Sequence, residues 1–157
     1  MITIIPCLEV MKSVTDNNID SEPSKIRVES FQIANELIAE ANIKVLMPSQ
    51  LYDRVSLRLN EEQRNAFETL YFIDNSTKAV TTYDLYKSTK LIADAESKVK
   101  PVIILSENVT EYSLPNNQRI KVMKPQEFIE KINTIRSWKK RGIISDIGEA
   151  LIIYLFK

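Results

Sequence analysis

"DLYKSTKLIADAESKVKPVIILSEN", residues 84–108, joins an acidic helix opening, an amphipathic helix, an unbroken apolar run and a polar end. Thr81 and Asp84 have the spacing of a capping box, and Leu85, Ser88, Ile92, Ala95 and Val99 are expected along one face of the helix that follows. Val102 to Leu105 carries no polar residue, the pattern of a strand buried on both faces in a parallel sheet. Functional groups of such sheets gather where strands end, which here is Ser106-Glu107-Asn108.

Working outward, ITII at 2–5 predicts a first strand that ends at Pro6 and opens at Cys7-Leu8-Glu9. Ser13 to Ser24, SVTDNNIDSEPS, has the composition of a mobile loop. From Lys25 a helical stripe runs through Val28, Phe31, Ala34, Leu37, Ile38 and Ala41, and IKVLM at 43–47 predicts a second strand closed by Pro48. Ser49 reads as the N-cap of a helix carrying Leu51, Tyr52, Val55 and Leu59, with Asp53 in or just after its first turn. Asn60 with Gln63 opens another helix through Ala66, Phe67, Leu70 and Tyr71.

Beyond the central unit, Ile120 to Met123 predicts a fourth strand, and Pro125 starts a helix through Phe128, Ile129, Ile132 and Ile135. A last helix from Ser145 to Phe156 repeats an apolar stripe at Ile147, Leu151 and Leu155. Strands alternating with helices predict an α/β domain over residues 1–135 with a mainly parallel four-stranded sheet. Residues 136–157 form a basic segment and an added C-terminal helix, packed on that domain or on a partner.

Composition narrows the chemistry. The chain has 157 residues, room for one core-bearing domain, and its longest apolar run, Ala150 to Phe156, is too short to span a bilayer. The start, MITIIPCLEV, lacks the basic stretch and cleavage site of a secretory signal, and one cysteine suits a reducing compartment. A cytoplasmic protein is expected. With no histidine, Ser-His and Cys-His nucleophilic systems fall away, and with two glycines, both near the C-terminus, so do glycine-rich phosphate loops. Lys plus Arg equals Asp plus Glu at 21 each, so any nucleic-acid footprint has to be local.

A parallel sheet would bring Glu9, Asp53, Asp84 and Glu107, with Asn108, to one edge. Carboxylates meeting there repel one another unless a divalent cation neutralises them, and oxygen ligands suit Mg²⁺ or Mn²⁺. Such an ion activates water at a phosphodiester without histidine. The alternative is that Asp53 and Asp84 complement helix dipoles and that Glu9, Glu107 and Asn108 are ordinary loop and turn residues.

The arrangement resembles the PIN-domain family of metal-dependent ribonucleases, which includes the toxin halves of many prokaryotic toxin-antitoxin pairs. MPSQLYDRV at 47–55 looks like the family's proline-serine step into an acid-bearing helix, placing Asp53 in the acidic position. YDLYKSTKLIADAESKVKPVIILSEN looks like its acid-opened helix and buried strand, with Asp84 and Glu107 or Asn108 in the polar places, and IKVMKPQEFIEKI at 120–132 looks like its last strand, proline and helix. The resemblance implies a PIN-like three-layer sandwich and an endoribonuclease in which Asp53, Asp84 and Glu107 hold Mg²⁺ or Mn²⁺. Two departures stand against it: the first strand ends in Pro6 and Cys7 where the family has an aspartate, with Glu9 further on, and Asp84 stands about one helical turn ahead of the family's position, near Ser88. A catalytically degenerate scaffold that binds RNA or a protein is therefore the alternative.

Arg136, Trp138, Lys139, Lys140 and Arg141 make the densest basic stretch, a pattern that pairs with phosphates and stacks on an unpaired base. Its other reading packs Trp138 under the last helix, with the cations at a helix end. The greasy ISDIGEALIIYLFK points to a homodimer or a protein partner through that helix.

Overall fold

The computed structural model describes residues 2–16, 21–48, 51–52, 55, 60–61, 72–74 and 82–156, with backbone alone for 72–74 and 82–84. Its elements are β1 (Thr3–Pro6), α1 (Leu8–Thr15), α2 (Glu22–Ala41), β2 (Lys44–Pro48), β3 (Phe72–Asp74), α3 (Thr82–Ser97), β4 (Val102–Leu105), α4 (Val109–Tyr112), β5 (Ile120–Met123), α5 (Pro125–Lys140) and α6 (Ile147–Leu155).

The strands lie in the order β3-β2-β1-β4-β5. Every neighbouring pair is parallel, with Ile4 opposite Val45 and Ile103, and Ile104 opposite Val122. The four expected strands are its centre and one flank. β3 extends the other flank, pairing Leu46 with Phe72, and no period in the sequence announces a strand of three residues.

Side chains alternate across the sheet because strand residues point to opposite faces in turn. Ile4, Val45, Met47, Ile103, Leu105 and Met123 meet α1, α2, α5 and α6 on one face. Ile5, Leu46, Val102, Ile104 and Ile120 meet Ile92 and Ala93 of α3 and Tyr112 of α4 on the other. The result is a three-layer α/β/α sandwich with the C-terminal helix packed into the first core through Ile147, Leu151 and Leu155. α5 runs without a break through residues 135 and 136. Its Phe128, Ile132 and Ile135 are fully enclosed, each burial stabilising the fold by about 1.5–3 kcal/mol.

Two expectations need correction. The stretch 13–24 is no loop at its ends: Ser13 and Thr15 close α1, their hydroxyls donating to the carbonyls of Glu9 and Lys12, while Ser21 caps α2 by accepting the Ser24 N–H. Polar residues that satisfy themselves on helix carbonyls carry a loop's composition inside a helix. On α3 the enclosed residues are Leu85, Thr89, Ile92, Ala93 and Ser97. Ala95 faces solvent and Val99, past the helix end, is 73% exposed. Apolar periodicity alone points to a stripe rotated from the true one because two of the enclosed residues, Thr89 and Ser97, are polar.

Leu51, Tyr52 and Val55 are helical, as expected. Ser49, Asp53, Leu59 and the expected helix through Ala66 and Tyr71 lie outside the described residues. Asn42 ends α2 in the left-handed region at φ 51°, its N–H returning to the Leu37 carbonyl. Gly148 sits where α6 meets the end of α2: a Cβ there would stand 3.4 Å from the Ala41 carbonyl oxygen. Among the described residues no helix is long and apolar enough to cross a membrane.

Candidate functional site

The chain leaves β1 toward β2 and β3 on one side, and leaves β4 toward β5 on the other. α1 then covers one face and α4 the opposite one. The carboxyl ends of β1 and β4 are therefore the topological switch point of the sheet, the position at which open α/β sheets bind ligands. Cys7, the N-cap of α1, and Glu9 in its first turn follow the first strand there, and Ser106, Glu107 and Asn108 follow β4.

These segments are tied together. The Cys7 N–H donates to the Leu105 carbonyl at 3.1 Å, and the Ser106 N–H to that of Met123 at 3.0 Å. Ser106, fully buried, donates its hydroxyl to Glu9 Oε1 and accepts the Asn108 N–H at 2.9 Å. Asn108 caps α4 by accepting the Glu111 N–H. Glu107 turns the other way: Arg27 Nε and Nη2 each donate to it at 3.0 Å, while Nη1 donates to Ser13 Oγ at 3.3 Å. This fork joins α2, α1 and the β4–α4 turn.

The same point holds a buried thiol. Burial, and then the Glu9 carboxylate, pushes the Cys7 thiol well above its ordinary range, against smaller opposing effects of hydrogen bonds with Tyr112 and Ser106. Tyr112 is raised too, by burial first and then by Cys7 and Glu9, and its ring meets Tyr86 edge-on at 5.1 Å. Both groups are neutral at physiological pH.

Of the expected acidic set, Glu9 and Asn108 converge on Ser106, and Glu107 is adjacent in sequence but held by Arg27. Asp84 lies in the first turn of α3. That turn belongs to the same edge, because the far end of α3 carries Glu96, which bonds Thr3 and Lys44 at the amino ends of β1 and β2. The Asp84 side chain and all of Asp53 lie outside the described residues.

The described donors do not fit a divalent cation. Glu9 accepts from a hydroxyl, both oxygens of Glu107 accept from a guanidinium and the Asn108 oxygen accepts from a backbone N–H, whereas Mg²⁺ or Mn²⁺ needs oxygens open to it. Among the described residues no group of three or more His, Cys, Asp or Glu could hold a metal.

At the other candidate surface, Arg136 is engaged by Glu36 at 2.7 Å and by Glu40 at 2.8 and 3.1 Å. Trp138 meets Tyr154 of α6 edge-on at 4.9 Å, and the Lys131 ammonium lies 5.3 Å from the centre of that Tyr154 ring. Lys139, Lys140 and Arg141 are exposed. The basic stretch is thus partly an internal staple, with three cations presented to solvent.

Sequence alone marks neither Arg27 nor Tyr112 as part of the site. Arg27 is one cation on the polar side of a helix, and nothing local couples it to a residue 80 positions away. Tyr112 sits in α4, whose four residues are too few for a helical period.

No protein-family model matches the chain. No curated protein matches it either.

Proposed function

We propose that this chain is a catalytically degenerate PIN-like scaffold that works by binding a protein partner through its C-terminal surface. The observation that carries this reading is the engagement of both described edge carboxylates by protein donors, Glu9 by Ser106 and Glu107 by Arg27. The end of β1 agrees with it, since buried Cys7 stands about where a ligating aspartate belongs. At the opposite end of the molecule, Ile143, Ile152 and Ile153 are 58%, 39% and 62% exposed beside Lys139, Lys140 and Arg141. A surface that mixes isoleucine with cations suits a protein partner. For RNA it supplies fewer open phosphate contacts than the sequence promised, because Arg136 is already paired and Trp138 already packed.

A second reading, the Mg²⁺- or Mn²⁺-dependent endoribonuclease, is favoured by one observation: the segments that follow β1, β3 and β4 and carry Glu9, Asp84 and Glu107 share the carboxyl edge of an all-parallel sheet. In that reading the cation would supply an activated water and charge neutralisation at the phosphate, held by Asp53 and Asp84 with a released Glu107.

One experiment separates the two. The protein is mixed with single-stranded RNA and Mn²⁺, and both cleavage and melting temperature are followed. The scaffold reading expects no cutting and no Mn²⁺-dependent rise in melting temperature. Metal-dependent cutting that disappears in Asp53→Asn overturns it in favour of the nuclease. RNA retention lost on replacing Lys139 and Lys140 moves the binding function from protein to RNA.

A further inference from the structure

The two most exposed large apolar side chains among the described residues, Val99 at 73% and Leu91 at 64%, both belong to the outer side of α3 and the turn that ends it. Residues four apart on a helix share a face, so Lys87, Leu91 and Ala95 form one exposed row. The row continues to Val99, because the N–H groups of Lys98, Val99 and Lys100 return to the carbonyls of Ala95 and Glu96 and keep the backbone winding. Lys90, Asp94 and Lys98 make the neighbouring row. Asp94 is turned to the following loop, accepting from Asn117 Nδ2 at 3.0 Å, and Glu96 is taken up by Thr3 and Lys44. Among the described residues Lys87, Lys90 and Lys98 make no ion pair within the chain. A helix dipole would account for Lys98, but Lys87 and Lys90 stand outside the last turn, where it gives a cation no advantage.

We propose that the outer side of α3 is a docking ridge for an acidic amphipathic helix of another protein, with Leu91, Ala95 and Val99 in its groove and Lys87, Lys90 and Lys98 facing its carboxylates. A row at four-residue spacing is the ridge that helix packing lays between the rows of a second helix. The cations beside it select the charge of that helix. A second copy docked on the same ridge would set lysine against lysine. A membrane helix sinks its broad apolar face into lipid, whereas the broad apolar face of α3 is already buried on the sheet. Single-stranded RNA calls for open aromatic platforms, and Tyr86, the aromatic in the lysine row, is packed on Tyr112. The ridge lies on the sheet face opposite α5 and α6 and is independent of the C-terminal surface.

The test is fluorescence anisotropy of the full chain with a labelled helical peptide of about five turns, carrying leucine along one stripe and glutamate on both flanks. Saturable binding is expected, and it should be lost when the peptide's leucines become serine or its glutamates lysine. Leu91→Ser, and Lys90→Glu combined with Lys98→Glu, should each weaken it at least about tenfold with unchanged circular dichroism spectra. The doubly reversed chain should bind the lysine peptide instead. Ile153→Lys, on the other face, should change nothing. Absence of saturable binding, or binding that survives Leu91→Ser and the double reversal, overturns the proposal. Binding lost in Ile153→Lys overturns it too, since the peptide then sits on the C-terminal surface. Phosphatidylglycerol vesicles and single-stranded RNA are run alongside: either of them held through Leu91 and the lysines where the peptide is not names a different occupant and rejects the helix.

Discussion

Arg27 and Glu107, 80 positions apart, form a two-pronged ion pair with both contacts at 3.0 Å. It ties α2 to the turn that follows β4 and uses the carboxylate that the sequence offered as a cation ligand. The pair is partly exposed, with side-chain accessibilities of 22% and 39%, so solvent screens it and its contribution stays below about 1 kcal/mol. Glu107→Gln should therefore lower unfolding free energy in urea by no more than that. In the scaffold reading Arg27→Ala creates no Mn²⁺ binding, which isothermal titration of the variant checks.

At the opposite edge, Glu96 accepts from the Thr3 hydroxyl at 2.8 Å and the Lys44 ammonium at 3.0 Å. Burial alone would raise its pKa, but the Thr3 and Lys44 contacts outweigh burial and hold it below the ordinary value. A lowered folded-state pKa gives stability that is present above the unfolded value, about 4.3, and is lost as pH falls through the folded one. Glu96→Ala also leaves the enclosed Thr3 hydroxyl unpaired. It should cost about 1–3 kcal/mol at neutral pH, and the gap from wild type should narrow in denaturant titrations near pH 3.

The sheet was legible where burial leaves continuous apolar runs: Val102–Leu105 and Ile120–Met123 coincide with the expected strands. α5 was equally readable, since Pro125 marks its first position and Phe128, Ile129, Ile132 and Ile135 are all buried. α1 escaped because a short helix with internally bonded hydroxyls looks like a loop. The edge site was legible as a location, since strand ends in a parallel sheet share one side. Its bonding was not, because which carboxylate meets a guanidinium depends on where the start of α2 meets the turn after β4, a contact no local pattern encodes.

Cys7 and Tyr112 give the fold an alkaline limit. Both pKa values are raised in the folded protein, so the unfolded chain releases protons first as pH climbs. Their contribution is complete below the ordinary thiol value of about 8.5 and declines above it, with Tyr112 adding to the fall above about 10. Melting temperature should drop between pH 8.5 and 10 and do so less steeply in Cys7→Ala. Iodoacetamide should modify native Cys7 far more slowly than the urea-unfolded chain, since thiolate is the attacking species.

The last prediction concerns the two sides of α6. Leu151 is 1% exposed and packs in the core shared by α2 and α5, whereas Ile153, two positions on, is 62% exposed. Leu151→Ala should lower stability by about 2–5 kcal/mol through lost burial and the cavity left behind. Ile153→Ala should change the stability of the fold by less than about 0.5 kcal/mol, although it deletes as many carbon atoms. Measured by urea unfolding, a large loss at Leu151 with almost none at Ile153 establishes α6 as part of the domain. Equal, small losses at both positions would mean that the helix is held elsewhere and that the core closes without it.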